Sequence, residues 1–150
     1  MKDLGELKFF LGIEVDRSKK GIVMSQRKYS LELIEESGVS GSKPAGTLLE
    51  LNQKLTSEEY DKCIKGEATD SLLKDPGPYQ RLIGSLLYLT MTRPDLAFTV
   101  QVLSQFMHSP KVSHIEAALR VVKYVKGSPG LGLFMPAKST NTLTSYCDSD

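Results

Sequence analysis

The sequence predicts an α+β fold in which a β-hairpin and a helix are followed by a linker, a three-helix subdomain and a truncated C-terminal β-hairpin. Three observations predict this order. Two short runs rich in aromatic and β-branched residues flank a polar turn near the start. Three later segments carry apolar residues at three- and four-residue spacing. Two strand-like runs lie near the end. With 150 residues, 40% of them hydrophobic, the chain can form a domain with a real core.

The first segment, residues 1–38, contains the hairpin and one helix. The apolar run 8–16, the polar stretch 17–21 and the second run 22–25 predict two strands joined by a five-residue loop. Ser25 is expected to cap the helix, and Gly38 is expected to end it in a left-handed conformation. The predicted apolar face of this helix consists of Tyr29, Leu31, Leu33 and Ile34.

The second segment, residues 39–78, shows no regular apolar pattern. Turn-forming residues cluster at 40–46 and again at 75–78. Because so long a connection is uncommon inside a compact domain, we interpret it as an inter-module linker or a functional loop.

The third segment, residues 79–127, predicts three amphipathic helices. Thr92 is expected to cap the second helix, with Pro94 in its first turn, and the stretch from Ser113 to Glu116 has the pattern of a capping box for the third. The third helix ends in basic residues, which a helix C-terminus favours. The predicted apolar stripes are Tyr79, Leu82, Ile83, Leu86, Leu87 and Thr90 in the first helix; Leu96, Val100, Leu103 and Met107 in the second; and Leu119, Val122 and Val125 in the third.

The fourth segment, residues 128–150, predicts strands at 131–135 and 143–147, which we expect to begin a new sheet. Asp148 and Asp150 follow the second strand at the end of the chain. Two-metal nuclease chemistry needs several converging carboxylates, which one strand end does not supply. We therefore expect the chain to be a piece of a larger protein.

Charge is balanced over the whole chain but not along it. Nineteen Lys and Arg residues against eighteen Asp and Glu residues give a net charge of +1. From residue 76 to residue 138, seven basic residues stand against two acidic ones, which favours a polyanionic partner. Cys63 and Cys147 lack partners at zinc-ligand spacing, so two free thiols are predicted. Without a signal peptide or a membrane-length apolar run, the sequence predicts a soluble intracellular protein with no membrane partner.

Several residues of the third segment are candidates for binding nucleic acid. Gly84 and Ser85 give the first helix a small-residue surface that a nucleic-acid groove could approach, although helix-to-helix packing also explains it. Arg120 and Lys123 share a helix face that Lys126 extends, which favours phosphate contact or, alternatively, a solvated face. His108 and His114 are interpreted as ordinary surface or cap residues.

Five segments carry a family resemblance when they are taken in order. They are residues 1–15, residues 79–90, the Thr-Arg-Pro-Asp motif at 92–95, residues 124–127, and Tyr-Cys-Asp-Ser-Asp at 146–150. In this order they resemble the polyprotein of copia-type LTR retrotransposons, and retrotransposon-derived uncharacterised plant proteins. The resemblance spans the end of the reverse transcriptase and the first strand of RNase H.

The resemblance implies roles for individual residues. The hairpin 10–25 would be the primer grip, with Phe10, Leu11 and Gly12 at the 3′ end of the growing strand. The helices of 79–127 would be the thumb, whose first helix, with Gly84 and Ser85, follows the minor groove of the template–primer duplex. Asp148 would be the first metal-binding carboxylate of an incomplete RNase H site.

The departures from the family pattern predict a fragment that is noncatalytic alone. The Tyr-x-Asp-Asp turn of the polymerase and the Trp-Ala-Gly that follows the RNase H strand do not occur here, and Thr47-Leu48 stands where the family commonly has Thr-Pro. We therefore expect no cofactor in this fragment, although the intact parent enzyme would use Mg²⁺. The expected partners are an RNA–DNA or DNA template–primer duplex, bound weakly and without sequence specificity, and the remainder of the polyprotein.

A free-standing helical nucleic-acid-binding module, of helix-turn-helix type, is the alternative. It would use the second and third helices of residues 79–127. Against it, their connection from 107 to 113 is longer than the three or four residues typical of that motif.

Overall fold

A computed structural model describes residues 6–50, 53–64 and 70–138. Within these residues four antiparallel strands form one sheet, and five α-helices accompany it, so the predicted α+β class is confirmed. The strands lie in the order β1-β2-β3-β4 and are β1 Phe9–Phe10, β2 Ile13–Ser18, β3 Gly21–Ser25 and β4 Gly132–Pro136. The four predicted segment boundaries stay predictions.

Two tight turns of two residues each connect the three N-terminal strands. Leu11 and Gly12 have φ values of +47° and +79° and return β1 onto β2, so that Phe10 pairs with Ile13. A single strand over 8–16 was therefore the wrong prediction. The predicted five-residue loop was also wrong, because Ser18 pairs with Gly21 and only two residues lie between them.

β4 completes the sheet by pairing with β3. The strand was predicted at 131–135, but the expectation that it would begin a new sheet was wrong, since Met24 pairs with Leu133 and Ser25 with Gly132. A Cβ atom at Gly132 would lie 2.1 Å from the Met24 carbonyl oxygen, so only glycine permits this approach. The predicted strand at 143–147 lies outside the described residues.

The helices include the one predicted in residues 1–38 and the three predicted in 79–127, and a further helix lies in the predicted linker. They are α1 Arg27–Glu36, α2 Glu58–Ile64, α3 Gly77–Leu89, α4 Ala97–Ser104 and α5 Val112–Lys126, with a 3-10 turn at Pro94–Leu96 before α4. Residues 39–78, interpreted from the sequence as an inter-module linker or a functional loop, thus contain a helix that the sequence did not predict.

The hydrophobic core lies among α1, α3, α4 and α5. Most predicted stripe residues are buried, but Leu31 and Leu87 are 47% and 39% exposed, because each lies on the side of its helix that faces away from the core. Leu89 takes the buried position at the end of α3. The fully buried aliphatic residues with no measurable exposure are Ile83, Leu86, Leu89, Leu96, Val100, Leu103, Ala118, Val121, Val122 and Val125.

Three predicted helix caps differ in the structure. Ser25 ends β3, and Gln26 occupies the position before α1. The Thr92 hydroxyl donates to the Gln26 side-chain oxygen at 2.8 Å and so joins two segments instead of capping α4. Ser113 lies inside α5, after the capping position at Lys111. The prediction for Gly38 is confirmed by its φ of +69°.

One face of the sheet is open and is apolar except for Arg17, which pairs with Ile22. Cross-strand pairing places Val15, Met24 and Leu133 side by side on it, and Phe10, Ile13, Ile22 and Met135 extend it. All seven are half-buried or exposed, and none belongs to the hydrophobic core of the described residues.

Candidate nucleic-acid interface

A groove of about 730 Å³ lies between α1, α3 and α5. Its walls are mostly apolar, and one cation, Arg81, lies among them. Arg81 is exposed and makes no hydrogen bond or ion pair with any residue that the structure describes. The residues that line the groove are Tyr29, Leu33, Glu36, Ser37, Pro78, Arg81, Leu82, Gly84, Ser85, Ile115 and Leu119.

Gly84 opens the backbone of α3 to this groove. It is exposed, and a Cβ atom placed on it would meet no described atom within 4 Å. Helix-to-helix packing, the alternative explanation for this glycine, is therefore not what the structure shows. Since glycine costs about 1 kcal/mol relative to alanine inside a helix, Gly84 stays without a structural reason in the described part of the chain.

Two tyrosines join the 10–12 turn to the same helix. The Tyr88 hydroxyl donates a hydrogen bond to the Leu11 carbonyl oxygen. Tyr29 meets the Tyr88 ring edge to face, with centroids 5.2 Å apart, and its hydroxyl donates to the Ser85 carbonyl oxygen at 3.3 Å. The structure thus brings together two candidate regions that are more than seventy residues apart in the sequence.

The turn itself presents its side chains to solvent. Phe10 is 58% exposed and Leu11 is 69% exposed, while Gly12 is half-buried against Tyr88. Large apolar side chains at these exposures are available for contact with another molecule.

Two of the three candidate cations on α5 have partners within the chain. Arg120 donates to Glu50 and Thr47, each at 2.9 Å. The Lys126 ammonium donates to three backbone carbonyl oxygens at Val39, Ser40 and Ser42. A phosphate would have to displace these partners. Their predicted role in nucleic-acid binding remains a prediction.

Lys123 differs from its two neighbours. Its side chain forms no hydrogen bond or ion pair within the described ranges. It lies beside a shallow depression that also contains Glu50, Glu116 and Arg120, so the local charge there is mixed.

A buried charge pair, which the sequence analysis missed, connects α2 to the start of α5. The Lys111 ammonium lies 2.6 Å from an Asp61 carboxylate oxygen and donates to the Thr56 hydroxyl at 3.1 Å, and both charged side chains are at most 5% exposed. Asp70 lies farther off, at 3.9 Å. A single lysine between two predicted helices does not indicate burial. The only sequence feature that could have suggested a buried pair is the group of acidic residues at 53–75.

His114 is also buried, against the prediction that it lies at the surface, although its place in the first turn of α5 agrees with a cap role. Its Nδ1 accepts a hydrogen bond from the Lys111 backbone N–H at 3.1 Å, its Nε2 lies 3.2 Å from the Thr56 carbonyl oxygen, and its ring stacks on Phe106. Burial, together with the positive charge of Lys111, lowers the pKa of His114. His108 is exposed, as predicted.

The Thr-Arg-Pro-Asp motif forms a structural anchor. Arg93 is 1% exposed and donates two hydrogen bonds to the Asp95 carboxylate, at 2.9 and 2.7 Å. A third goes to the Ser128 carbonyl oxygen at 3.0 Å and fixes the turn between α5 and β4. The hydrogen bonds from Arg93 lower the pKa of Asp95.

No group of three or more potential metal ligands is arranged as a metal site within residues 6–50, 53–64 and 70–138. Asp148, the candidate catalytic and metal-binding residue, lies outside these ranges, as do Cys147 and Asp150. Cys63 is free and exposed. In the described part of the chain, every helix is too short or too polar to cross a bilayer.

Comparison with known proteins identifies the relatives of the chain. Over all 150 residues it is 38% identical to the retrovirus-related Pol polyprotein from transposon RE1 of Arabidopsis thaliana. This chain is homologous to a segment of transposon Pol polyproteins. A second such polyprotein, from a transposon of Nicotiana tabacum, is 31% identical over 153 aligned residues. An uncharacterized mitochondrial protein of Arabidopsis thaliana is 34% identical over 152 aligned residues, again across the whole chain.

The match covers only part of each relative. The chain spans 10% of the length of the RE1 polyprotein, 11% of the tobacco polyprotein and 58% of the mitochondrial protein. No protein-family model matches the chain. No solved structure matches it with significance.

Proposed function

We propose that this chain is the part of a copia-type polyprotein that contacts template–primer duplex, combining a primer grip with a thumb. In this proposal the 10–12 turn receives the 3′ end of the primer, and Gly84 and Ser85 lie against the duplex. The observation that carries the proposal is the open backbone at Gly84, on a helix that also holds the 10–12 turn through Tyr88.

The groove suits a duplex better than a small ligand. Its floor at Gly84 lacks a side chain, so a sugar-phosphate backbone can approach the helix closely. Tyr29, Leu82 and Ile115 offer apolar surface for sugars, and the free Arg81 guanidinium offers a phosphate contact at the rim.

Electrostatic attraction in this proposal comes from few charges. Arg81 and Lys123 have no partners in the described part of the chain, whereas Arg120 and Lys126 would contribute only after exchanging their internal partners. Binding is therefore weak and indifferent to base sequence, since phosphate contacts carry no sequence information.

Catalysis is assigned to the intact parent polyprotein. The reaction of RNase H needs several carboxylates around Mg²⁺, and Asp148 would supply one of them. We propose that the chain alone, noncatalytic and without a cofactor, contributes positioning of the duplex.

The open apolar face of the sheet is the proposed contact with the rest of such a polyprotein. Its seven apolar residues lie outside the core, and the homologous polyproteins are about ten times longer than the aligned region. A packed segment of the same polyprotein would bury this face as a domain core does.

The test is a salt titration of binding to fluorescently labelled duplexes by anisotropy. The probes are an RNA–DNA hybrid with a recessed DNA 3′ end, random double-stranded DNA, and a pool for sequence selection. We expect weak binding to hybrid and random DNA alike, falling steeply with salt. Arg81→Ala and Lys123→Ala should each lower the slope of log K against log[salt] by about one.

The key variant is Gly84→Leu, and Lys62→Ala is the charge control for Arg81→Ala and Lys123→Ala. Leucine should stabilise an exposed helix position by up to about 1 kcal/mol while it fills the groove. Weaker binding together with higher helix stability therefore identifies the groove as the site. Lys62 lies on α2, away from the groove, and its loss should change little. Absence of binding at low salt contradicts the proposal. Enrichment of one sequence about a thousandfold would favour the helix-turn-helix alternative.

A further inference from the structure

We infer that Tyr88 is a positioning residue that holds the 10–12 turn in register with the groove on α3. The inference rests on the proposed function, because the turn and the groove are there assigned to the end and the body of one duplex. Tyr88 does not contact the duplex in this account. It fixes the distance between the two surfaces that do.

The contacts of Tyr88 reach both surfaces. Its hydroxyl donates to the Leu11 carbonyl oxygen, and a Cβ atom on Gly12 would lie 3.7 Å from its ring carbon and its hydroxyl. Its ring is braced by the edge-to-face contact with Tyr29, which is itself bonded to the backbone of α3 at Ser85. Two rings thus form a strut from α3 to the turn.

The turn has little other support. β1 has only two residues and pairs with β2 alone, and a short two-stranded end is marginal in water. Leu11 occupies the left-handed region, where a branched side chain is disfavoured, so a bond to its carbonyl helps to hold that conformation. A further tie between sheet and helices, from the Lys28 backbone N–H to Glu14 at 3.2 Å, lies beyond the turn on β2.

The helix sets the spacing that the strut preserves. Gly84 and Tyr88 are four residues apart on one face, about 6 Å along the axis. That is roughly two nucleotide steps at about 3.4 Å each. A strand whose backbone lies over Gly84 would therefore present its last nucleotides at the turn, provided that the turn does not move.

The first arm of the test uses the free protein. Hydrogen exchange is measured for the wild type, Tyr88→Phe, Tyr88→Leu and the control Tyr60→Phe, which changes an exposed tyrosine on α2. In Tyr88→Phe, which keeps the ring, we expect exchange of the hydrogen-bonded amides next to the turn, Ile13 and Val15, to rise about threefold to tenfold, with α3 unchanged. Tyr88→Leu should raise it further. Unchanged exchange in both variants overturns the strut.

The second arm compares a duplex with a recessed 3′ end against a duplex closed by hairpin loops at both ends. The wild type should prefer the recessed end, and Tyr88→Phe should lose that preference while it binds the closed duplex as before. A preference that survives in Tyr88→Phe overturns the positioning role. Failure of the wild type to bind either duplex overturns the proposed function and this role with it, whereas the exchange arm still reports the strut by itself.

Discussion

The helical part and the sheet of this chain are held together in different ways. The core residues of α3, α4 and α5 are at most 2% exposed, whereas the apolar residues of the open sheet face are half-buried or, at Phe10 and Met135, 58% and 44% exposed. The helices are therefore stabilised by side-chain burial. The sheet depends on backbone register, on Gly132 and on ties such as Tyr88.

This difference bears on where function is located. Burial fixes the helices as a platform. The groove at Gly84 lies among three of these helices, and the 10–12 turn lies where the sheet contacts α3 through Tyr88. Regions with little buried apolar surface are the ones expected to open most readily, so the turn depends on the Tyr88 contact to keep its position.

The largest effect should come from the buried charge pair. Lys111→Met removes the ammonium that lies between the Asp61 carboxylate and Asp70 in a buried site, and we expect a loss of about 3–5 kcal/mol in the free energy of unfolding, measured in urea. A loss of this size would place residues 53–64 in the same cooperative unit as the helices.

The matched control is Lys62→Met, which breaks an exposed pair on α2 and should change stability by less than about 0.5 kcal/mol. The double variant Lys111→Met with Asp61→Leu should regain most of the loss, because it removes both charges. Equal, small effects at Lys111 and Lys62 would show that α2 lies outside the stable body.

The next largest effect tests the comparison itself. Leu86→Ala in the core of α3 should cost about 2–5 kcal/mol, the usual range for a fully buried leucine. Leu133→Ala on the half-buried sheet face should cost less, about 1–2 kcal/mol, since part of the Leu133 side chain is in contact with water in the folded chain. Similar losses in urea denaturation would mean that the sheet face is packed in solution.

Sequence reasoning found the elements whose signals are local. Apolar spacing located α3, α4 and α5, and the run at 131–135 located β4. The division of the first predicted strand into β1 and β2 was not predicted. The turn between them places Leu11 at positive φ, a conformation that leucine rarely adopts. The pairing of β4 with β3 was not predicted because β3 lies about 110 residues earlier in the chain.

For the site, the sequence indicated Gly84 but not its surroundings. The groove needs α1 and α5 beside α3, which are non-local contacts that no residue pattern specifies. The basic face of α5 was predicted from spacing, yet its partners at 39–50 come from a segment with no pattern. Lys111 escaped because lysine is rarely buried and its acids are distant in sequence.

The smallest effect is a dependence of stability on pH that comes from His114 in the helical part of the chain. When the neutral His114 ring carries its proton on Nε2, it makes two hydrogen bonds. Nε2–H donates to the Thr56 carbonyl oxygen, and Nδ1 accepts from the Lys111 backbone N–H. Protonation at Nδ1 would break that bond and place a charge in a buried site beside Lys111. Burial is the main cause of the lowered pKa and the charge of Lys111 is the second, while Asp70 and Asp61 act in the opposite direction.

Because the pKa of His114 is lower in the folded state, the unfolded chain takes up a proton first as the pH falls. Stability is therefore complete above about pH 6.5 and declines below it, by at most about 1.4 kcal/mol per pH unit, until the folded pKa is reached. Urea midpoints between pH 7.5 and pH 5 measure this decline above the range in which carboxylates titrate. His114→Gln, which can accept from Lys111 and donate to Thr56, should flatten it, whereas exposed His108→Gln should leave it unchanged. If His114→Gln has the same dependence of stability on pH as the wild type, the titrating group is another residue, and the buried histidine does not cause the decline.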